Sequence, residues 1–368
     1  MNDFHGIIFA YSTAPELGAL ARTRTSASLP FCGRYRLIDF ALSSMANAGI
    51  YDVGVIMQRD YQSLLDHLGS GKDWDMSRRR GGLRMLPPFG LPEYHTGAYT
   101  GTIEALNAVA TYIRDIPQKH IIMMHGNTAA NLDLTVAAKH HLESGAELTA
   151  ICSPSLATNV RLGYVDRGDG FSQHMVLGGA GGGIPAMEAY IISKDLLLSM
   201  MDECARENRL HFHRNAIAGY LNSGGKINLY VHEDYAAMIT DVAGYYRTSM
   251  DMLDSEKRAE LFPAQRPVRT KIHEEVSAYY GENARVRNSL VADGCIVEGE
   301  LDGCILFSGA RVERGAQLKN CIVMRGAVVR ENAQLGCVIA DKYVELSPYI
   351  TLTGSERLPI VIPKSSMI

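Results

Sequence analysis

The chain has 368 residues, 46% of them hydrophobic and 21% charged, with a formal net charge of −4. That length exceeds what one hydrophobic core supports and predicts two domains. The mildly acidic balance gives no basis for a nucleic-acid partner. No run approaches the roughly 18 apolar residues of a membrane span. Met1-Asn2-Asp3-Phe4-His5 lacks the basic and apolar stretches of a signal peptide. The seven cysteines form no CxxC pair and no zinc-site spacing. An odd, scattered count is expected of a reduced, cytoplasmic protein.

The first two thirds alternate short apolar runs with amphipathic stretches. Gly6 to Ala10 predicts a buried strand. Ile38 to Ala48 has helical spacing and stops at Gly49, a residue suited to the left-handed position after a helix. Val53 to Met57 predicts a second strand, Gly101 to Ile113 a helix, and His120 to Met124 a third strand before the turn His125-Gly126-Asn127. Leu134 to Ser144 reads as a helix ending before Gly145, and Glu147 to Ile151 as a fourth strand. Such alternation indicates a Rossmann-like α/β domain with a mostly parallel, doubly wound sheet. Ligands of such sheets sit at the carboxyl ends of the strands, after Ala10, Met57 and Met124.

The last 90 or so residues change period. Gly309-Ala310-Arg311-Val312-Glu313-Arg314-Gly315-Ala316-Gln317-Leu318 is echoed from Gly326 to Leu335, an offset of 17 residues. Cys304-Ile305-Leu306 recurs as Cys321-Ile322-Val323 at the same offset, and as Cys337-Val338-Ile339 one residue short of it. A coil of three hexapeptides needs about 18 residues with one inward apolar side chain per short strand. The double echo predicts a left-handed parallel β-helix over a β-sandwich with coincidental spacing. The predicted organisation is an α/β domain at 1–253, a linker containing a helix at 254–280, and the β-helix at 281–368.

Residues 30–42 read Pro30-Phe31-Cys32-Gly33-Arg34-Tyr35-Arg36-Leu37-Ile38-Asp39-Phe40-Ala41-Leu42. This stretch resembles PFGGKYRLIDFPLS of the sugar-nucleotide pyrophosphorylases that make ADP-glucose. Met85-Leu86-Pro87-Pro88 is similar to that family's ILPP, and Tyr99-Thr100-Gly101-Thr102 to its Y-x-G-T. The resemblance spans essentially the whole chain. It implies that Gln58, Gly101 and Thr102 are remnants of a site facing a nucleotide base. It also implies that Asp241, in a match to D-V-G-T, is the remnant of a magnesium ligand. After Asp241 the chain reaches Met250-Asp251-Met252-Leu253 about three residues sooner than in that family, which shortens a loop at the cleft.

The departures fall on the chemistry that nucleotidyl transfer needs, namely cations on the triphosphate and carboxylates on the metal. The family's glycine-rich loop with its arginine is replaced by Phe9-Ala10-Tyr11-Ser12-Thr13-Ala14-Pro15-Glu16-Leu17-Gly18-Ala19-Leu20. The lysine of K-P-A-V-P-F has become Ser26, and the aspartate of G-D-H-x-Y has become Asn127, an amide being the weaker ligand for a hard cation. The E-E-K-P segment has become the uncharged Val176 to Gly183. Asn127 alone could be an ordinary turn residue. Four losses in one cleft argue against catalysis, so no catalytic residue is expected.

Other features read as bland. Gly178 to Gly183 lacks the Lys-Ser/Thr of a phosphate loop. Trp74 reads as a loop anchor and Arg78-Arg79-Arg80 as a solvated run. The histidines, including His140-His141 and His211-Phe212-His213, show no metal-ligand spacing. Arg22 and Arg24 sit where active relatives carry basic residues near their activator site, which implies an effector role for them.

The pattern is most similar to the regulatory, catalytically impaired subunit type of bacterial glucose-1-phosphate adenylyltransferase. That resemblance implies no cofactor of this chain's own, with Mg2+ held by a catalytic partner subunit. It further implies a cytoplasmic hetero-oligomer, a tetramer with the catalytic subunit, or a homo-oligomer in its absence. Two other classes stay open. One is a weakly active nucleotidyltransferase. The other is a hexapeptide-repeat acyltransferase, which would usually need a histidine in the coils, and residues 281–368 contain none.

Overall fold

The computed structural model describes residues 1–11, 15–88, 99–156, 162–178, 182–272 and 274–368. The central sheet has the strand order Phe171–Ser172, Ile227–Val231, Leu148–Cys152, Ile184–Ser193, His120–His125, Phe4–Phe9, Val53–Ile56, Leu83–Leu86. Phe4–Phe9 pairs in parallel with both Val53–Ile56 and His120–His125, and Val53–Ile56 with Leu83–Leu86. Alternation along Phe4–Phe9 sends Ile8 to one face and Ile7 and Phe9 to the other. Both faces are covered. Ile8 packs with Ala41 and Met45 of the helix Ile38–Asn47. Ile7 and Phe9 pack with Ile103 and Leu106 of the helix Thr102–Ala108 and Leu197 of the helix Lys194–Arg206.

The sheet is mostly parallel, as the alternation predicts, but Ile184–Ser193 runs antiparallel between His120–His125 and Leu148–Cys152. Its sequence hides it, because a bulge between Ala186 and Ala189 breaks the alternation at Glu188. The predicted helix from Gly101 to Ile113 is two, Thr102–Ala108 and Ala110–Asp115, because Val109 leaves helical geometry at φ −115°, ψ 22°.

The C-terminal part is a left-handed parallel β-helix of three five-stranded parallel sheets. Val312 pairs with Val329 and Leu318 with Leu335, so the coil repeats every 17 residues there. Val297, Val312, Val329 and Leu346 stack inside, as do Leu301, Leu318 and Leu335. The third cysteine echo is out of register. Ile322 pairs with Ile339, which places Val338, not Cys337, above Cys321 in the core. Cys337 instead takes the coil corner above Asn320 and Gly303, and all three have positive φ, 50°, 52° and 66°.

The linker is strapped to the α/β domain. Asp254 caps the helix Ser255–Leu261 by accepting from Glu256 N and Lys257 N. Asn131 Nδ2 donates to the carbonyls of Leu261 and Arg266. Trp74, fully buried, donates Nε1–H to the Arg269 carbonyl at 3.2 Å, so it anchors this strap. Ile305, Ile322 and Ile339 point outward from one β-helix face and share a core with Leu29, Phe31, Phe40, Tyr245 and Tyr246. Tyr246 also donates its hydroxyl hydrogen to the Asn320 carbonyl at 2.8 Å. The β-helix and the α/β domain are thus joined by a continuous apolar core.

Candidate functional site

Two polar cavities stand out. The first, about 430 Å³, lies at the carboxyl ends of the strands Phe4–Phe9 and His120–His125. Its walls include Tyr11, Thr100, Gly101, Thr102, His125, Asn127, Glu188, Phe212, His213 and Thr240. Gly101 is required by packing, since a Cβ there would meet the Leu210 carbonyl oxygen at 2.1 Å. That oxygen accepts from Ile103 N and seats the first turn of the helix beginning at Thr102.

The bulge in Ile184–Ser193 turns Glu188 over this cavity with φ +51°, a conformation uncommon outside glycine. Its carboxylate lies 3.6 Å from His125 Nε2. Burial holds the His125 and His213 pKa values below the ordinary histidine range, and the Glu188 charge only partly offsets this. Both rings are therefore neutral at pH 7. Among the described residues lining the cavity, Glu188 supplies the carboxylate and the exposed Arg214 the guanidinium. Neither Glu188 nor the histidines were picked out as site residues from sequence. The bulge that turns Glu188 inward has no sequence period.

The sequence-predicted residues are not all brought together. Asn127 lines the cavity, and its Nδ2 donates to the Ile239 carbonyl at 2.8 Å while Ile239 N donates back to the Asn127 carbonyl. Ser26 is buried, its Oγ without a hydrogen-bond partner among the described residues, and it is not on the cavity wall. Gln58 is buried away from this cavity, with Oε1 likewise unpartnered. Asp241 caps the helix Val242–Asp251, Oδ1 accepting from Gly244 N at 2.6 Å, and its side chain is not on the cavity wall. Residues 12–14 of the former glycine-rich loop and 179–181 of the Val176 to Gly183 segment lie outside the described residues. The donor set does not fit magnesium. A hard divalent cation needs carboxylates in octahedral array, whereas Asn127 offers an amide, Asp241 is used as a helix cap and Glu188 faces histidine. Among the described residues no group of three or more His, Cys, Asp or Glu could hold a metal ion.

The second cavity, about 420 Å³, lies between the α/β domain and the β-helix. Arg34, Arg36, Lys271, Arg325, Lys342 and Lys364 line it. Arg36 is fixed from three sides: its backbone N–H reaches Asp39, Asp39 holds buried His67 at 2.5 Å, and the guanidinium donates to the Ser63 carbonyl at 2.6 Å. Burial and the neighbouring Arg36 and Arg24 pull the Lys342 pKa down to about 7. Burial likewise lowers Arg36 to about 10.

The two arginines singled out from sequence flank this cavity without forming its wall. Arg22 is exposed. Arg24 is 3% exposed and paired at 2.5 Å with fully buried Asp341 of the β-helix. The sequence expectation of an effector-binding Arg24 is corrected accordingly, since its guanidinium is taken up by a bridge between the domains. The basic residues that do line the cavity come from separated segments, and nothing local in the sequence joins them.

Comparison with known proteins follows the same division of the chain. A nucleotidyl transferase model matches residues 5–176, and a GlmU-like C-terminal hexapeptide model matches residues 273–356. Over 363 residues the chain is 34% identical to the glycogen biosynthesis protein GlgD of Bacillus subtilis (strain 168), covering 99% of this chain and 96% of that one. The chain belongs to the glucose-1-phosphate adenylyltransferase and GlgD family. It is 31% identical to GlgD of Geobacillus stearothermophilus over 383 residues, 100% of this chain and 97% of that protein. A glucose-1-phosphate adenylyltransferase of Clostridium perfringens (strain 13 / Type A) is 28% identical over 323 residues, 85% of this chain and 81% of the enzyme. Within the described residues no helix is long and apolar enough to cross a membrane.

Proposed function

We propose that this chain is a regulatory, non-catalytic subunit of a glucose-1-phosphate adenylyltransferase. In this reading it acts in glycogen biosynthesis and modulates the conversion of ATP and glucose 1-phosphate to ADP-glucose and diphosphate by a catalytic partner. The observation that carries the reading is the first cavity. On its described wall the Glu188 carboxylate stands where a phosphate would need cations, and the Asn127 amide where the resemblance places a metal-binding aspartate. Relatives over nearly the whole chain are named as glycogen biosynthesis proteins, which supports the pathway. Magnesium belongs to the partner's site, and the assembly is a cytoplasmic heterotetramer with that partner.

The regulatory side of the reading rests on the basic cavity. Six cationic side chains from both domains suit an effector with more than one phosphate or carboxylate group. A ligand there would touch both domains and bias their relative seating.

The test is turnover by the isolated chain. Purified alone with ATP, glucose 1-phosphate and Mg2+, it forms no ADP-glucose above background, and Asn127→Asp does not rescue it because the Glu188 carboxylate still faces the cavity. Turnover on the order of one per second or more, as in ordinary enzymes, would overturn the non-catalytic assignment.

A further inference from the structure

The cavity between the domains holds a lysine that the fold separates from its nearest carboxylate. Lys342 sits in the coil corner between the strands Val338–Ala340 and Glu345–Leu346. The carboxylate next to it, Asp341, is taken up on both oxygens. Oδ2 accepts from Arg24, and Oδ1 accepts from the Lys342 backbone N–H at 2.6 Å. Cations surround the Lys342 amine instead. Arg24 and Arg36 approach from the α/β domain and Lys364 from the β-helix, with Arg34, Lys271 and Arg325 further round the wall. Among the described lining residues Asp66 supplies the carboxylate, and His67 is held by Asp39.

This arrangement supplies both parts of an acyl transfer to nitrogen. Burial and the charges of Arg36 and Arg24 bring the Lys342 pKa down to about 7, so much of the amine is neutral and nucleophilic at neutral pH. A free lysine side chain, with a pKa of about 10.4, has only about one amine in a thousand neutral there. The guanidinium and ammonium groups around the amine suit a phosphate group. An acyl phosphate matches the pair. Its phosphate fits the cations, and the adjoining carbonyl carbon is then held beside the nucleophile.

We propose that Lys342 is an acylation site for small acyl phosphates, with the phosphate held by Arg36, Arg325 and Lys364. The amine lone pair attacks the carbonyl carbon and forms the C–N bond. The bond from that carbon to the phosphate-bearing oxygen breaks, and the phosphate leaves with the electron pair. The proton lost from nitrogen passes to the phosphate. Acetyl phosphate thus gives an N-acetylated side chain and hydrogen phosphate, with no further reactant. The product amide cannot be protonated, so the cavity loses a cation that it could otherwise present to a multivalent anion. The inference goes beyond the regulatory reading, since it concerns the isolated chain and needs neither an effector nor a catalytic partner.

Timed incubation of the full chain with acetyl phosphate at constant ionic strength tests it, with acetylation at each lysine quantified by mass spectrometry. At about pH 7.5, Lys342 is acetylated at least about tenfold faster than the exposed Lys139 and Lys226. Its rate saturates with acetyl phosphate, and inorganic phosphate competes. The rate levels off above a pH of about 7, whereas that of free lysine in the same solution climbs about tenfold per unit up to a pH of about 9. Lys364→Gln, at an exposed position, raises the half-saturating concentration several-fold, and a thermal melt establishes that this variant is folded. Four results would each overturn the proposal: Lys342 modified no faster than Lys139 and Lys226, a rate that neither saturates nor responds to inorganic phosphate, a pH profile parallel to that of free lysine, or an unchanged half-saturating concentration in folded Lys364→Gln.

Discussion

At the scale of single residues, Arg24 and Asp341 show how a sequence position misleads. Arg24 falls in a basic stretch that resembles an activator region, yet it is buried against a carboxylate more than three hundred positions away. Asp341 keeps its other oxygen on Lys342 N at 2.6 Å, so the pair is held on both sides. Removing one member leaves an uncompensated buried charge, and Arg24→Met should cost about 3–5 kcal/mol. The double substitution Arg24→Met with Asp341→Leu should recover most of that loss, because burying two apolar side chains avoids the desolvation of two ions. Urea unfolding of the parent and the two variants checks this, and a single variant as stable as the parent would refute a structural role for the pair. Asp241, which resembles a metal ligand, uses its Oδ1 to cap the helix Val242–Asp251.

At the scale of elements, the β-helix was the most legible part, because inward stacking forces a period on the sequence. Val312, Leu318, Val329 and Leu335 recur in it directly. The misplaced cysteine echo has a physical reason. Each coil corner needs a left-handed residue, and the corner stack Gly303, Asn320, Cys337 meets that need with three different residue types. The bulged strand Ile184–Ser193 was illegible for the opposite reason, since a bulge erases alternation. The cavity between the elements was illegible altogether, because its cations come from five separated regions of the chain.

That cavity makes a pH prediction. Lys342 has its pKa depressed to about 7 by burial among Arg24, Arg36 and Lys364, with Asp341 opposing the shift. A bound multivalent anion favours the protonated amine, so binding takes up a proton when the pH is above about 7. Effector affinity therefore falls as pH rises through and above that value, beyond any titration of the effector itself. Calorimetry with a bisphosphorylated sugar in two buffers of different ionisation enthalpy measures the uptake. The Lys342→Met variant should abolish it, and an unchanged proton uptake in that variant would contradict the assignment.

At the scale of the whole molecule, the apolar face of Ile305, Ile322 and Ile339 fuses the β-helix to the α/β domain. Deleting residues 281–368 would strip that shared core, so loss of assembly in such a truncation would report unfolding rather than a lost interface. The scaffold holds a cleft whose described wall carries Glu188 and Asn127, which makes sense if the chain works through another subunit. Its partner must then respond to it with a coupling of about 1–3 kcal/mol, or roughly five- to 150-fold in affinity or rate balance. The most direct measurement titrates the full chain into a catalytic glucose-1-phosphate adenylyltransferase from the same cell and follows ADP-glucose formation. The account predicts saturable activation or a lowered substrate requirement, with both chains co-eluting on a sizing column at micromolar concentration. Separate elution with unchanged partner kinetics would contradict it.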